Sequence, residues 1–447
     1  MVAIVSVAKQ WQPFPTSHFF EVLSIPLSDL PADFRARALR WAAQFAHCAY
    51  YEHNDLQAQA PGTFERLLAV ASAAPGAPNS LAGLPPDWPV GQGAPRCGFV
   101  TYEVKNEVEA LSSANPSGLD WPALHFFVPD TWLCWRADCV ELHGATTGVL
   151  AAILATSLPP TIAPTVPPLR PRMSRADYLQ AVENVRQDIL AGEVYELNLC
   201  QEFYAENVEL DPAAAFWQLN EKSPAPFAGF LRHHDHYLLC ASPERFLSRT
   251  GDVITSQPIK GTRRRHPDST QDEAQRLALL NDEKERAENL MIVDLVRNDL
   301  ARVAQTGTVQ VPELFGTYGF RHVWHLISTV QARLRSGTSF ADVLRATFPM
   351  GSMTGAPKIR AMQLIEHYER SRRGLYSGSF GYEWPGGDLE LNVVIRSLQY
   401  RADTGYLSVQ VGSAITYDSV PEQEYEECLL KAQGVLEALG TSILEEA

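Results

Sequence analysis

Hydrophobic and polar positions alternate along several short segments in the second half of the chain, as they do in half-buried β-strands. The segments GFLRHHDHYLLCAS (229–242) and ERFLSRTGDVITSQPI (244–259) predict strands joined by hairpins. LELNVVIRSLQY (389–400) and GYLSVQVGSAIT (405–416) each predict a further strand. Because the strands come in pairs and do not alternate regularly with helices, the pattern predicts an α+β fold with largely antiparallel sheets.

Helical spacing of apolar residues marks four other segments. STQDEAQRLALLNDEKERAENLMIVDLVRNDLARV (269–303) predicts one or two helices, and VPEQEYEECLLKAQGVLEAL (420–439) predicts a terminal helix. GAPKIRAMQLIEHYERSRR (355–373) predicts a helix with Pro357 in its first turn, where proline is tolerated. In the first 160 residues, PADFRARALRWAAQFAHCAYYEH (31–53) predicts one helical stretch.

Two stretches rich in proline interrupt these elements. Residues 71–95 read as a long surface loop, and residues 161–173 read as an extended linker followed by Ser174 as a helix N-cap. We therefore expect an N-terminal part of the fold over residues 1–160, diverged and of regulatory type. The linker covers residues 161–173, and a second region with denser elements covers residues 174–447.

Composition and charge exclude several classes of function. The chain has 447 residues and a net charge of −15, which disfavours a general attraction to nucleic acid or anionic lipid. An anionic substrate would need local cations or a metal ion. Seven scattered cysteines without a CxxC pair indicate reduced thiols. Without a signal peptide or a long apolar run, the sequence predicts a cytoplasmic protein.

Carboxylates recur at helical spacing in two of the predicted helices. Glu424, Glu427 and Lys431 form an aligned row in the last helix, and Glu285 and Glu288 stand three apart in EKERAEN. Such pairs are commonly a solvated helix face. Alternatively, the two pairs face each other and hold a hard divalent cation, for which Mg²⁺ with several waters and substrate oxygens is suited.

Three other residues have both a structural and a functional interpretation. Arg396 in NVVIRSL needs a carboxylate partner, which either the protein or a ligand can supply. His325 in HVWHLIS is either a core histidine or an active-site residue. Lys260 in TSQPIKGTRRR is either a surface charge or an amine held in place for chemistry.

Taken together, these segments resemble the chorismate-utilising enzymes, which include anthranilate, aminodeoxychorismate, isochorismate and salicylate synthases. The resemblance is dense over about residues 174 to 440, through SPERFL, QPIKGTRRR, DEKERAENLMIVDLVRNDL, FRHVWHLIS, GSMTGAPKIRAM, LYSGSFGY, NVVIRSL and VGSAITYDSVPEQEYEECLLKA. It implies one large fold in which two antiparallel sheets pack face to face with helices outside. It also implies a site in the cleft between the layers.

The resemblance also implies roles for individual residues. Glu288 and Glu427 match the family's Mg²⁺ ligands, with Glu285 and Glu424 as nearby or water-mediated partners. Glu244 matches the general acid, provided that burial raises its pKa. The remaining matches are to the active-site histidine (His325), the pair that holds the enolpyruvyl carboxylate (Tyr376 and Arg396) and other substrate contacts (Gly261, Thr262, Gly412, Ser413, Ala414 and Lys431).

Lysine at position 260 resembles the aminodeoxychorismate synthase component I branch, since the members that make anthranilate typically have alanine there. The resemblance implies that the Lys260 amine attacks C2 of chorismate while the C4 hydroxyl leaves. Ammonia then adds at C4 and expels the lysine, giving 4-amino-4-deoxychorismate for 4-aminobenzoate and folate synthesis. The amine must be partly deprotonated, which we expect from desolvation or from the cations Arg263, Arg264 and Arg265.

The sequence departs from the family at VYELNL, where aminating members usually carry glutamine and this chain has Glu196. Glu196 is expected to steer ammonium or act as a base. The chain has no G-x-C-x-G turn typical of a glutaminase, so we expect ammonia from a separate glutamine amidotransferase subunit in a heterodimer. AHCAYYEHNDL (46–56) stands where relatives have a tryptophan-binding segment, which predicts weak or no tryptophan feedback.

Three alternatives to this function remain open at the level of sequence. The first is anthranilate synthase component I, which would release pyruvate, and Lys260 disfavours it. The second is isochorismate or salicylate synthase. The third is a non-catalytic subunit that only activates a glutaminase, which the combined presence of Lys260, Glu288, Arg396 and Glu427 disfavours.

Overall fold

The computed structural model describes residues 21–85, 93–159 and 166–444. Within these ranges the strands form two sheets, and their pairings are antiparallel throughout. In spatial order, the twelve-stranded sheet A contains β1 (Glu21–Pro26), β7 (Cys139–Gly144), β6 (Thr131–Trp135), β3 (Leu67–Ala71), β2 (His47–Glu52), β10 (Phe227–His233), β11 (His236–Ser242), β20 (Ser397–Arg401), β21 (Tyr406–Ile415), β9 (Glu196–Ala205) and β17 (Gly355–Ala356), with β8 (Arg170–Pro171) paired to β9.

The nine-stranded sheet B lies against it. In spatial order it contains β14 (Ile259–Arg264), β16 (Val323–Arg333), β13 (Val253–Gln257), β12 (Arg245–Thr250), β19 (Leu389–Asn392), β18 (Ser379–Glu383), β4 (Arg96–Val100) and β5 (Leu124–Phe127), with β15 (Gln310–Gly319) paired to β16. Aromatic side chains join the two sheets. The rings of Tyr51 in β2 and Phe380 in β18 stack with centroids 4.4 Å apart, and the Tyr51 hydroxyl donates to the Gly381 carbonyl at 2.5 Å.

Helices cover the outer faces of both sheets. The α-helices of the described ranges are α1 (Phe34–Ala42), α2 (Lys105–Val108), α3 (Val149–Ala155), α4 (Arg175–Leu190), α5 (Pro212–Lys222), α6 (Ser269–Leu280), α7 (Glu283–Ala301), α8 (Phe340–Thr347), α9 (Lys358–Tyr368) and α10 (Pro421–Leu439). Apolar side chains of α1, α4, α5, α9 and α10 share a core with sheet A, whereas those of α7 and α8 share a core with sheet B. The predicted architecture, two packed antiparallel sheets with helices outside, is confirmed.

Both sheets combine strands from the two regions that flank the predicted linker. In sheet A, β2 pairs with β10, and in sheet B, β4 pairs with β18. Residues 166–173 contain the short strand β8, while residues 160–165 lie outside the described residues, as do residues 86–92 of the predicted surface loop. The first 20 residues, on which the signal-peptide prediction depends, also lie outside them. The boundaries at residues 160 and 174 stay a prediction.

The prediction of one helix over residues 31–53 is wrong in its second half. Only α1 is helical, and residues 47–52 form the buried strand β2 near the middle of sheet A. Cys48 and Tyr50 enter the core between the sheet and the helices, and Ala49 and Tyr51 enter the core between the sheets. A strand that is apolar on both faces has no polar alternation to distinguish it from a buried helix.

The predicted strand over residues 389–400 is in fact two strands. β19 belongs to sheet B and β20 to sheet A, so residues 393–396 carry the chain from one sheet to the other. Arg396 lies at the end of this crossing with φ of +51°. The apolar run gave no sign of the break because most residues of both strands, and Val393 and Val394 of the crossing, are buried. The structure also places Pro357 at the N-cap of α9, one position before the predicted first turn.

Across the described ranges, every helix is too short or too polar to cross a lipid bilayer.

Candidate active site

Lys260 lies on β14 at a break in the strand pairing. The register between β14 and β16 shifts between Ile259 and Thr262, which marks a β-bulge, and bulges re-aim the side chains within them. Gly261, inside the bulge, has φ of +95°, which is accessible to glycine without strain. A Cβ at Gly261 would lie 3.1 Å from Glu285 Oε2, so the glycine also lets this carboxylate approach the strand.

An ion pair between Lys260 and Glu196 connects the two sheets at this point. Lys260 Nζ lies 2.5 Å from Glu196 Oε1, and Glu196 opens β9 of sheet A. Their side chains are 10% and 1% exposed, so the pair is buried. The second oxygen, Oε2 of Glu196, is buried and has no hydrogen-bond partner within the described part of the chain. A buried acceptor without a donor is costly, which leaves this oxygen available to a ligand or a proton.

The charge state of Lys260 follows from two opposing effects. Burial lowers its pKa, but the negative charges of Glu196 and Glu288 raise it, and the result lies above the ordinary value for lysine. Lys260 is therefore protonated and ion-paired when no ligand is bound.

The three arginines that follow Gly261 and Thr262, which were expected to depress the pKa of Lys260, pair with aspartates or face solvent. Arg263 pairs with Asp282 at 2.9 Å, and Arg265 pairs with Asp272 at 2.6 Å. Arg264 is exposed to solvent. The expectation that these arginines activate Lys260 is therefore wrong, because two are neutralised by aspartates and the third is screened by water.

Three glutamates from two helices, Glu285, Glu288 and Glu427, lie close enough to the Lys260 amine to interact with its charge. Glu285 and Glu288 lie in the first turns of α7, and Glu424 and Glu427 lie in the first turns of α10. Burial raises the pKa of Glu288 to about 7 and also raises the pKa of Glu285. Glu285 and Glu427 repel each other across the gap between the helices, and Lys260 attracts both. Glu285 of one predicted pair and Glu427 of the other therefore face each other, whereas Glu424 is buried in the neighbourhood of Tyr178.

The carboxylates of these glutamates are spaced apart and do not form a tight cluster. Burial opposes ionisation of Glu427, but Lys431, 2.6 Å away, holds its pKa below the usual range, and Lys284 lies 3.8 Å from Glu288. Within the described residues, no three of the glutamates bring carboxylate oxygens within 4.8 Å of one another. Glu427 is half-exposed, and Glu285 and Glu288 are partly buried. Carboxylates spaced in this way fit a cation that keeps several waters, as Mg²⁺ does.

Arg396 and Tyr376 form the other end of the site. The Arg396 side chain donates to the Lys431 carbonyl at 3.3 Å, and it forms no ion pair with any residue that the structure describes. Burial lowers its pKa, and the Tyr376 hydroxyl and Glu427 are the charged or ionisable groups that oppose this shift. Tyr376 is 4% exposed. Arg396 is partly buried. A guanidinium in this setting without a carboxylate is a site for an anionic ligand.

The predicted substrate contacts on β21 lie beside Lys431. Lys431 Nζ donates to the Gly412 carbonyl at 2.8 Å. A Cβ at Gly412 would lie 2.5–2.9 Å from atoms of β9, so the strand pair requires glycine there. The Ser413 hydroxyl lies 3.1 Å from the Tyr178 hydroxyl and is buried, whereas Ala414 is partly exposed.

Glu244 is buried at the junction between β11 and β12. Burial raises its pKa to about 7, as expected, while a hydrogen bond from the Ser352 hydroxyl at 2.7 Å acts in the opposite direction. A carboxyl group with this pKa is partly protonated near neutral pH, so it can serve as an acid or as a base.

His325 lies on β16 directly opposite Thr262. The Thr262 hydroxyl lies 2.9 Å from Nδ1 of His325. Burial, together with the nearby positive charge of Arg396, lowers the pKa of His325 to about 3. The imidazole is therefore neutral at physiological pH, which suits it to hydrogen bonding and not to electrostatic attraction of an anion.

Sequence reasoning missed two contacts in this site. It identified Glu196 as unusual but not as the ion-pair partner of Lys260, which stands 64 positions away. It did not include Ser352, whose hydroxyl contacts Glu244 from a position 108 residues along the chain. The motif GSMTGAPKIRAM, which contains Ser352, gave no sign of this contact. The structure brings the charges of Glu244, Glu285, Glu288 and Glu427 within range of Lys260, and the functional roles of the predicted residues stay predictions.

Comparison with known proteins places the chain in a family. The chorismate binding enzyme family matches residues 37–437. Aminodeoxychorismate synthase component 1 of Bacillus subtilis is 40% identical over 265 residues, which cover 59% of this chain and 56% of that protein. Anthranilate synthase component 1 of Thermus thermophilus is 41% identical over 266 residues, covering 60% and 57%. The match therefore spans a little over half the length of these relatives.

A solved structure extends the likeness to nearly the whole fold. Anthranilate synthase component I of Streptococcus pneumoniae superimposes with a TM-score of 0.70 at 26% identity, covering 96% of this chain and 94% of that one. The family match and the shared architecture agree with the resemblance found in the sequence. The chain belongs to the family of chorismate binding enzymes.

Proposed function

We propose that this protein converts chorismate and ammonia into 4-amino-4-deoxychorismate, with Lys260 as the covalent nucleophile. The observation that carries the proposal is the buried Lys260 amine, 2.5 Å from the Glu196 carboxylate and within range of the charges of Glu288 in α7 and Glu427 in α10. The similarity to a protein named aminodeoxychorismate synthase component 1 supports this product. Because the match covers only part of that relative, the activity itself belongs to the proposal.

Binding of the substrate follows from the charges at the two ends of the site. Arg396, with Tyr376 beside it, holds the enolpyruvyl carboxylate and gains the anion that the protein does not supply. Glu288 and Glu427 hold Mg²⁺, with Glu285 and Glu424 as outer partners. When bound, the metal offsets their negative charge and orients the ring carboxylate of chorismate.

The first step makes a carbon–nitrogen bond and breaks a carbon–oxygen bond. Lys260 gives a proton to Glu196, and the free amine attacks C2. The C1=C2 double bond moves to C1=C6, the C5=C6 double bond moves to C4=C5, and the bond from C4 to its hydroxyl breaks. Glu244 donates its proton to the departing hydroxyl, which leaves as water.

The second step reverses these shifts with ammonia as the nucleophile. Ammonia adds at C4, the double bonds return to C1=C2 and C5=C6, and the bond between C2 and the lysine nitrogen breaks. The lysine leaves as a neutral amine and recovers its proton from Glu196. The ammonium formed at C4 returns one proton to Glu244, so the net change is exchange of hydroxyl for amino with release of water.

A separate glutamine amidotransferase would supply the ammonia in the cell. The name component 1 carried by the Bacillus subtilis relative supports a partner component. Free ammonium replaces this partner in a purified system, so the chemical step can be tested without it.

The competing product is anthranilate, since the relative from Thermus thermophilus is an anthranilate synthase component 1. Elimination of pyruvate distinguishes the two reactions. Lys260 favours amination without elimination, because a lysine adduct at C2 directs the incoming ammonia to C4.

A product assay tests the proposal. The protein is incubated with chorismate, Mg²⁺ and ammonium at mildly alkaline pH, and products are separated and identified by mass spectrometry. We expect 4-amino-4-deoxychorismate without pyruvate, at least about a 1,000-fold loss in Lys260→Ala, and unchanged turnover in Lys222→Ala, which removes an exposed lysine. Without ammonium, the intact wild-type protein should gain the mass of chorismate minus water.

Release of pyruvate together with fluorescent anthranilate would overturn the proposal. Full turnover by Lys260→Ala would overturn the covalent step alone, since direct addition of ammonia would then suffice. Wild-type protein without turnover on chorismate would favour a subunit that only activates a glutaminase.

A further inference from the structure

Five of the twelve histidines gather at one end of sheet A, away from the site described above. His47 begins β2, His233 ends β10 and His236 begins β11, and the strand pairing places His233 opposite both of the others. His234 occupies the hairpin turn with φ of +54°. His125, on β5 of sheet B, faces them from across the core. The RHHDHY hairpin therefore brings its histidine rings against His47 of β2 and His125 of β5.

Three of these rings form a triangle, which we call the histidine triad: His47, His233 and His234. Their centroids are 4.8 Å apart for His47 and His234, 5.3 Å for His47 and His233, and 4.8 Å for His233 and His234. One ring nitrogen of each lies within 4.8 Å of one ring nitrogen of the others. His125 stacks on His47 at 5.0 Å and packs behind the triad.

The ring nitrogens of the cluster lack the partners that buried histidines ordinarily have. The Nδ1 atoms of His47 and His233 and the Nε2 atom of His125 are buried and accept or donate no hydrogen bond to residues that the structure describes. His47 is only 3% exposed. Buried polar atoms are paired in most proteins, and a histidine that packs only as an aromatic ring would still satisfy its nitrogens.

We propose that the histidine triad binds a transition-metal ion of the Zn²⁺ class, with His47, His233 and His234 as its three protein ligands. Imidazole is a preferred ligand of Zn²⁺, and three histidines leave a fourth tetrahedral position for water. A Zn–N bond of about 2.0–2.1 Å requires nitrogens about 3.3 Å apart in a tetrahedron, so the rings need to rotate inward by small amounts. His234 is exposed and provides the route of entry from solvent.

The electrostatics of the cluster agree with this ligand set. Burial and the neighbouring histidines lower the pKa of His47 to about 4 and that of His233 to about 2. Their imidazoles are therefore neutral at physiological pH, as metal ligation requires. Arg232 contributes a positive charge near His47, and Asp130 contributes a negative one.

The triad is separate from the candidate active site. β11 runs from His236 beside the triad to Ser242, and Ala241 near that end donates to the Arg396 carbonyl. Five to six residues at about 3.3 Å each place about 20 Å between the two regions. A metal ion in the triad would fasten the β10–β11 hairpin to β2, so its expected role is to stabilise this end of sheet A.

Metal binding by protein without an affinity tag tests the proposal. Zn²⁺ is titrated in competition with a chromophoric chelator, and Co²⁺ is titrated as a spectroscopic probe. We expect one tight site, intense visible bands of tetrahedral Co²⁺, and a rise in Tm of about 2 °C or more with excess Zn²⁺. His234→Ala, which changes an exposed residue, should lose all three signals. His367→Ala, which removes an exposed histidine of α9, should retain them.

A second variant locates the bound ion. Glu288→Gln should retain the tetrahedral Co²⁺ signal, because Glu288 belongs to the other region. Loss of the signal in Glu288→Gln, or its retention in His234→Ala, would place the ion elsewhere and overturn the proposal. Two further results would overturn the proposal. One is a Co²⁺ spectrum that shows only octahedral coordination, and the other is Zn²⁺ binding that the chelator abolishes at micromolar concentration. In either case the histidine cluster would be explained by aromatic packing.

Discussion

Arg373, which is buried, and Arg396, which is partly buried, differ in the number of hydrogen-bond acceptors that the protein gives them. Arg373 donates to both carboxylate oxygens of Glu369 and to three further oxygens, at distances of 2.6–3.2 Å. Arg396 donates to one carbonyl, that of Lys431, and it has no carboxylate partner in the described ranges. The charge of Arg373 is neutralised within the fold by Glu369, whereas the charge of Arg396 is available to an anionic ligand.

The same difference separates two buried carboxylates, those of Glu369 and Glu196. Glu369 accepts from Arg373 through both oxygens and from the Cys200 amide at 2.9 Å. Glu196 has one oxygen on Lys260 and the other without a partner. Incomplete pairing lowers the stability of the folded protein, and it is found where a ligand completes the set. In this protein, therefore, the structural charges have all their hydrogen-bond and ion-pair partners within the fold, whereas the charges of the candidate site lack some of theirs.

The largest effect is expected from breaking the complete pair. Arg373→Met leaves Glu369 buried with no cation, so the free energy of unfolding should fall by about 3–5 kcal/mol in urea denaturation. The double variant Arg373→Met with Glu369→Gln should recover part of this loss, because the uncompensated charge is gone. Equal stability of the single and double variants would show that the loss comes from packing and not from charge.

Replacement of Arg396, which lacks a carboxylate partner in the described residues, should weaken turnover of chorismate without lowering the stability of the fold. Arg396→Met should lower kcat/KM for chorismate by at least about 100-fold, because the enolpyruvyl carboxylate loses its cation. The free energy of unfolding should stay equal or increase, since no ion pair within the protein is broken. Arg264→Met, which changes an exposed arginine, is the matched control. Destabilisation of Arg396→Met as large as that of Arg373→Met would contradict the comparison.

Glu288 allows the cost of incomplete pairing to be measured directly. Its folded pKa of about 7 exceeds its unfolded value, so ionised Glu288 destabilises the fold at pH 8, and protonation removes this penalty as the pH falls through 7. In the presence of a chelator, Glu288→Gln should increase the free energy of unfolding by about 2–3 kcal/mol at pH 8.

The gain should shrink as the pH falls and be absent near pH 4.5, while turnover is lost at every pH. Urea denaturation from pH 5 to pH 8 provides the measurement. A gain that does not depend on pH would mean that glutamine improves packing and that the charge of Glu288 is already compensated.

The sequence was informative where a local pattern repeats and uninformative where contacts are distant. The paired strands and the helices α7 and α10 could be predicted, because alternation and helical spacing are local properties. The strand β2 was missed because both of its faces are buried. The split between β19 and β20 was missed because a buried crossing between sheets is as apolar as the strands it joins.

The site shows the same limit. Motifs identified Lys260, Glu288, Glu427 and Arg396, but they could not show that Lys260 and Glu196 form an ion pair, since the pair depends on how the two sheets meet. Nor could they show that Arg263 and Arg265 are neutralised by aspartates. Residue type indicates what a side chain can do, and only the folded arrangement shows whether its charge is satisfied.

The smallest effect concerns one hydrogen bond at Glu244. The Ser352 hydroxyl donates to Oε1 and stabilises the ionised carboxylate, while burial raises the pKa to about 7. In Ser352→Ala the pKa of Glu244 should rise further, by about one unit, because a hydrogen bond to a charged group is worth about 1.5 kcal/mol. Glu244 then stays protonated to higher pH.

As the proposed general acid, Glu244 must be protonated for the C4 hydroxyl to leave. The alkaline limb of the pH–rate profile of Ser352→Ala should therefore lie about one pH unit above that of the wild type. Glu244→Gln, which has no titrating carboxyl, should lack this limb and retain little activity. A limb that does not move in Ser352→Ala would assign it to another group, and a downward shift would mean that Ser352 stabilises the protonated carboxyl instead.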